Sequence, residues 1–523
     1  MLNAGQIRRQ PSVVFAVLVI GAIGAYEAAE YVIDDDLSGL AYMGLCIGGG
    51  AIVVAILNNW RNGLYLFLSW LLFEDFARKF LGNNMAIYFA KDFLLLAVLI
   101  SFMTAVRRKE VTIFRPPFLI PLLIFIWFGA MQIFNPASTH IMYGLMGFKI
   151  FFYYVPLFFI GYALLNSETE LRRFFTLNLV LILVIVSLGI AQSIIGPSFL
   201  NPAVQAEDLR LLSGLYRVSQ TTGAAAYRPT SVFVSTGRYG NFIMVGWMIV
   251  LGFSGYLLLR RRQGRALAFI ALPVTAAGAF LTASRGSFMW GMINAIAASV
   301  AFLWGAPWKQ REVVRVLRTI QRLALGIALG MVVLFYTYPE ALGTRLDIYK
   351  ETLLPGSATS ELGFRAWDYP VQNFLGAFNY ERWPYGYGIG TTALGGQYVA
   401  RFFNIKPPVV GVESGYGTLI VEMGIGGLIL WIVMSMAILF ASWRVLKKLK
   451  GSPLYPLGFV IFWYAFVMFF PATFGGIQPY EDFLLNAYLW LLLGLLFRLP
   501  SLALSAQFAI DAPDTHQRRR WIR

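Results

Sequence analysis

Val412–Leu428 reads VESGYGTLIVEMGIGGL, a polar opening loosened by Gly415 and Gly417 that runs directly into a long apolar stretch. Apolar runs like the one it begins recur along the chain at lengths near the ~20 residues a helix needs to cross a bilayer. No stretch shows the alternation of a barrel strand, and only helices or closed barrels satisfy their backbone hydrogen bonds in lipid. Composition points the same way: 58% of the residues are hydrophobic, 13% are charged, and mean hydropathy is +0.66. A soluble surface needs far more charge. The chain is therefore expected to be an all-α, polytopic membrane protein, one integral domain over residues 1–523.

Segmentation predicts about fourteen spans, near 13–33, 39–57, 62–81, 86–106, 117–134, 141–165, 172–195, 238–259, 266–285, 287–306, 319–337, 414–441, 454–474 and 482–499. The first has no A-x-A-like cleavage site after it and reads as a span, not a removable leader. Basic residues alternate between connections. One side receives Arg8/Arg9, Arg61, Arg107–Lys109, Arg172/Arg173, Arg260–Arg262, Lys309–Arg322, Arg444–Lys450 and Arg518–Arg520. The other receives Asp34–Asp36, the Asn135–His140 turn and Gln478–Asp482. By the positive-inside rule both termini are cytoplasmic, and two long connections, 196–237 and 339–413, fall on the outer face. The net charge of +16 is thus read as topology and anionic-lipid contact, with no nucleic-acid partner. A single cysteine, Cys46, allows no intrachain disulfide, and two histidines, His140 and His516, make a metal site unexpected.

Arginine in the outer connections runs against that bias. The first holds Arg210, Arg217, Arg228 and Arg238, and the second holds Arg345, Arg365, Arg382 and Arg401. A guanidinium stays charged and binds phosphate bidentately, so these are candidates for anion recognition. Arg285, in LTASRG (Leu281–Gly286), is expected at the outer end of a span, where a lone cation is expensive and a functional role is the default. Glu74, Asp75, Arg78, Lys79, Lys91, Asp92 and Lys149 are expected in the same half of the bilayer, as an i,i+4 Asp75–Lys79 ion pair or as the lining of a chamber. Trp367 and the neighbouring tyrosines make the long connection too aromatic for a flexible linker, and aromatic faces suit sugar rings as well as membrane interfaces. The turn YGYGIGT (Tyr385–Thr391), with Tyr387 at its centre, offers either phosphate-binding N–H groups or a simple tight turn.

Taken in order, RPTSVFVSTGRYGNF (Arg228–Phe242), LTASRG, GFRAWDYPVQNF (Gly363–Phe374), YGYGIGT and VESGYGTLIVEMGIGGL resemble the O-antigen ligase / O-antigen polymerase superfamily over roughly Arg228–Leu430. The resemblance implies a GT-C-like membrane glycosyltransferase of the bacterial inner membrane, acting on polyprenyl-diphosphate-linked glycans as donor and acceptor, with a chain-length regulator as a further candidate partner. It assigns Arg285 to the lipid-diphosphate site, with Arg228, Arg238, Arg365, Lys149, Tyr387 and Trp367 as candidate substrate contacts. One departure is informative. The ligase branch typically carries a histidine where the outer loop meets the helix, and counting back from Glu422–Gly427 that position here is Glu413. A carboxylate can serve as general base, so the expectation is a polymerase of glycan repeat units, metal-independent, inverting and without a cofactor. A ligase moving glycan to another acceptor is the nearest rival. A transporter or flippase would show inverted repeats and polar residues near the midplane, and the sequence shows neither.

Overall fold

The computed structural model describes residues 37–81, 85–201, 214–219, 223–260, 265–307, 339–353, 363–393, 396–405 and 410–511, with parts of 325–337. The expected first span, Arg8/Arg9, Asp34–Asp36, Arg210, Lys309–Arg322, His516 and Arg518–Arg520 lie outside the described residues, as does most of the expected span at 319–337.

The chain divides into two compact units, the smaller comprising residues 1–74 and 84–112. It contains α1 (Leu37–Asn58), the greater part of α2 (Trp60–Phe80) and α3 (Met85–Arg107). Leu64, Phe67, Leu68, Leu95 and Val98 are fully buried. Among them lie two charges, Glu74 and Lys91, whose carboxylate and ammonium stand 3.1 Å apart. A buried charge persists only when paired, so the pairing explains why both are tolerated.

The larger unit comprises residues 75–83 and 113–523. In chain order it holds α4 (Leu119–Gln132), α5 (Ile141–Phe152), α6 (Leu157–Leu164) and α7 (Glu168–Ile195). A short antiparallel hairpin follows, β1 (Tyr216–Val218) and β2 (Ala225–Tyr227), paired Arg217 to Ala226. Then come α8 (Thr236–Arg260), α9 (Arg265–Leu281), α10 (Arg285–Gly305) and α11 (Pro339–Leu353). The long connection continues as α12 (Tyr369–Gly376) and α13 (Gly396–Phe403). The chain closes with α14 (Gly415–Leu449), α15 (Tyr455–Val467), the single turn α16 (Gln478–Glu481) and α17 (Phe483–Asp511).

Among the described residues eight helices are long and apolar enough to cross a membrane. Helix α2 is not among them because it carries Glu74, Asp75, Arg78 and Lys79, and α4 and α9 are shorter. Breaks occur where the backbone chemistry dictates. Pro156 separates α5 from α6, and Pro471 lies in the π-helical turn Met468–Ala472 after α15.

Two contacts fix which helix ends lie together. Gly451 N–H donates to Gly305 O, joining the α14–α15 turn to the end of α10. Asn241 Nδ2 donates to Asp482 Oδ2 at 3.2 Å, joining the start of α8 to the start of α17. Both long connections therefore meet at one end of the larger unit, while Arg260, Lys447, Lys448 and Lys450 gather at the other.

Close packing inside this unit depends on small residues. A Cβ at Gly494 on α17 would stand 2.1 Å from Phe158 O of α6, and one at Gly161 would stand 2.3 Å from Leu491 O. Gly494→Val is expected to destabilise the unit by about 1–3 kcal/mol. Lowered thermal stability in detergent, followed by size-exclusion chromatography, checks this; a wild-type melting profile would contradict the packing.

Two expectations are corrected here. The split between the neighbouring spans falls at Thr282–Ser284, so Arg285 opens α10 instead of ending the previous span. Ala283 takes a left-handed φ of 49° at the break, and Ser284 Oγ accepts from Ser287 N–H to cap the new helix. The i,i+4 Asp75–Lys79 hydrogen-bonded pair does not form. Asp75 binds Arg238 Nη1 through both oxygens at 2.7 and 2.8 Å, and Arg78 at 3.2 Å. Lys79 Nζ instead donates to Thr230 Oγ1 and Ser231 O at 2.8 and 2.6 Å. Together with Gln192, whose Oε1 accepts from Thr230 and Ser231 N–H, these bonds pin the chain leading into α8.

Candidate functional site

The site is built around a break in α14. Gly424 has φ 71° and ψ −178°, so the helix that begins at Gly415 is interrupted after about two and a half turns. An interrupted helix leaves carbonyls without partners, and the Gly-rich turn supplies them: Tyr387 N–H donates to Val421 O at 2.8 Å and Gly388 N–H to Glu422 O at 2.9 Å. The approach is close enough to require glycine. A Cβ at Gly386, where φ is +79°, would stand 2.4 Å from Glu422 O, and one at Gly424 would stand 2.4 Å from Pro384 O. Glu422, fully buried, completes the joint: its Oε1 accepts from Thr392 N–H at 2.9 Å and Thr392 Oγ1 at 2.7 Å. These two amides of YGYGIGT thus serve the broken helix, not a phosphate.

Immediately before α14, Glu413 faces a cavity of about 460 Å³ shared by Tyr369, Asn373, Thr392, Gln478 and Glu481. Helix α12 places Glu413. Asn373 Oδ1 accepts its backbone N–H at 3.1 Å, and its carboxylate lies near enough to the Tyr369 hydroxyl to act on it electrostatically. That carboxylate holds the Tyr369 phenol above its ordinary value. Tyr369 and Asn373 are four residues apart on one helical face, and Asn373 Nδ2 donates back to Tyr369 O. The Arg365 guanidinium lies 5.9 Å from the Tyr369 ring centre, within cation–π range. Glu413 is exposed and Glu481 is buried. The N-cap of α14 is Ser414, so the Glu413 side chain is directed to Tyr369 and the cavity instead of capping the helix.

A second group gathers at the same helix ends. Ala226, Ala283 and Ile348 pack together, which draws Arg228, Arg285 and Arg345 into one neighbourhood. Tyr349 is its centre: its ring stacks on Phe288 at 4.5 Å, its hydroxyl donates to Phe280 O at 2.7 Å, and Arg345, Arg228 and Arg217 all act on it electrostatically. Burial pushes the Tyr349 phenol up and lowers the Arg228 and Arg345 guanidiniums from their ordinary values. Arg345 donates to Tyr227 O at 2.9 Å. Arg285 occupies the first position of α10, at the positive end of a helix dipole.

The start of α8 separates the two groups. A Cβ at Gly240 would touch Ser287 Oγ of α10 at 2.7 Å, while the next residue, Asn241, bonds Asp482 beside Glu481. Arg238, in the same turn, rests 4.5 Å from the Phe483 ring while bound to Asp75.

Of the residues singled out from sequence, Glu413, Arg365 and Trp367 come together around α12. Trp367 is exposed at the rim, 5.6 Å from Phe474. Arg228 joins the Tyr349 group, and Arg285 follows two residues after Ala283, which packs on Ile348 beside Tyr349. Lys149, half-buried on α5, precedes Ile150 and Phe151, whose carbonyls accept from Asn486 and Tyr480, but it does not line the cavity. Tyr387 does not line it either; its ring meets Tyr380 edge-on at 6.1 Å. Tyr369, Asn373, Thr392, Glu481 and Tyr349 were not singled out. Among the described residues no three His, Cys, Asp or Glu side chains come together to hold a metal.

Compared with known proteins, the chain matches no family model and no curated protein.

Proposed function

We propose that the protein is a membrane glycosyltransferase that joins polyprenyl-diphosphate-linked repeat units into a surface polysaccharide at the outer face of the bacterial inner membrane. In this reading it has about fourteen spans in a GT-C-like arrangement, with both termini cytoplasmic. Its main support is Glu413, a carboxylate beside Tyr369 at the wall of a polar cavity, in the same compact unit as the arginines gathered around Tyr349.

The chemistry follows from those groups. A hydroxyl oxygen of the acceptor glycan attacks the donor's anomeric carbon, and its proton passes to the Glu413 carboxylate. The bond from the anomeric carbon to the phosphate oxygen breaks, and its electron pair leaves on the lipid diphosphate. Arg285, Arg228, Arg345 and Arg217 stabilise the charge that grows there, while attack opposite the leaving group inverts the anomeric centre.

Two expected results test the assignment. Arg285→Lys keeps the charge but loses the planar fork, so polymer in cells is expected to fall by on the order of a hundredfold, the scale of one lost oxyanion donor, at unchanged protein level. Full-length polymer in that variant removes Arg285 from the diphosphate site. Cysteines placed one at a time in 363–393 of a cysteine-free variant should react with a membrane-impermeant thiol reagent in cells lacking the outer barrier. Failure of that labelling, with reaction only after permeabilisation, contradicts the sidedness.

A further inference from the structure

We infer that the cavity beside Glu413 is a subsite for a neutral saccharide unit at the acceptor end of the glycan, and that Glu413 with Glu481 turns acidic sugars away. The inference rests on the transferase reading and names the substrate class at that site. The cavity is of small-ligand size, about 460 Å³. Glu413, Glu481, Gln478, Asn373 and Thr392 face it with oxygen acceptors and amide or hydroxyl donors, and Tyr369 adds an aromatic edge.

Each simpler occupant fits badly. A lipid tail would leave this polar lining without partners. A diphosphate would meet two carboxylates, and among the described residues no lysine or arginine lines the cavity; Arg365 lies beyond it, against Tyr369. A hydroxyl-rich, uncharged ring satisfies what is there, because sugar hydroxyls donate to carboxylates and amide oxygens alike. A uronic acid has the same ring but adds a carboxylate facing two others, and specificity of this kind is built by like-charge repulsion. The arrangement also presents a sugar hydroxyl to the Glu413 carboxylate, which the transfer step requires.

The test reads binding by saturation-transfer NMR on the full-length protein in nanodiscs near pH 7. The probes are methyl glycosides of glucose, galactose and mannose, with methyl glucuronide as the acidic counterpart. Saturation is expected on at least one neutral glycoside and not on the glucuronide. Gly411→Trp fills the cavity from an exposed position with open space around it, nearest to Thr392 Cγ2 at 3.9 Å, and should abolish the neutral signal. Glu413→Gln, also at an exposed position, should raise glucuronide affinity by on the order of tenfold; Glu481→Gln should do the same if that buried site accepts the change. Three results overturn the inference: glucuronide binding wild type as well as glucoside does, no neutral glycoside binding at all, or a neutral signal that survives Gly411→Trp. Binding and polymerisation fail separately. A chain that binds neutral glycosides yet makes no polymer keeps the cavity assignment and loses the polymerase reading, whereas glucuronide binding in a working polymerase does the reverse.

Discussion

Glu413→Gln is expected to lower polymer formation by about 10²–10⁴-fold, the contribution typical of a positioned general base, while leaving the folded protein intact. The amide keeps an oxygen near the Tyr369 hydroxyl, and Asn373 holds the backbone of residue 413 rather than its side chain. The residue is exposed, so its replacement removes no packing. For the transfer step, what disappears is the ability of the carboxylate to accept the acceptor hydroxyl's proton, which an amide lacks. Glu413→Asp shortens the side chain and draws the carboxylate away from Tyr369, so activity should fall there too, though less far. Helix capping does not predict this pattern, because Ser414 is the N-cap and a cap change costs only about 1 kcal/mol. Polymer of wild-type length and amount from Glu413→Gln, expressed normally, would remove Glu413 as the base.

The second large effect is structural. Gly386→Ala is expected to destabilise the larger unit by ~3 kcal/mol or more, combining backbone strain at φ +79° with a Cβ 2.4 Å from Glu422 O. Gly424→Ala should behave alike, since its φ is +71° and its Cβ would stand 2.4 Å from Pro384 O. Either change separates the Gly-rich turn from the broken helix, and with it the Tyr387 and Gly388 bonds that complete that helix. Gly376→Ala is the control: its φ is −58° in a helical run and a Cβ there meets nothing within 4 Å. Thermal unfolding in detergent should separate the first two from the third. Equal melting temperatures for all three would mean that the turn does not lock the helix.

What could be read from the sequence follows the range of the physics involved. Apolar run length places α3, α7 and α8 and the starts of α14 and α17 within a few residues, because span length is a local property, whereas α14 and α17 run on well past the expected ends. Arg285 stands out because a cation at a span end breaks a local expectation, and Glu413 because it occupies the position where the ligase branch of the resembled superfamily carries histidine. Their surroundings do not stand out. Glu422 and Thr392 are thirty residues apart, and nothing in either neighbourhood announces the bond between them. Glu481 reads as part of an acidic turn between spans, yet folding carries it to the cavity that Glu413 faces. Arg238 reads as an outward cation available for phosphate, whereas Asp75 on a distant helix claims its guanidinium. Arg217 and Arg345 read as two loop arginines among several; only the packing of the β1–β2 hairpin against α11 and the Ala283 break brings them to Tyr349.

Reconstitution tests the central claim most directly. Purified protein in proteoliposomes would be given a polyprenyl-diphosphate-linked repeat unit, and the lipid-linked products separated by length. The account predicts a ladder of two, three and more units, with one free polyprenyl diphosphate released for every bond formed, and neither product with Glu413→Gln. A single transfer to another acceptor without a ladder, or movement of the intact lipid-linked unit across the bilayer with no bond formed, would contradict it.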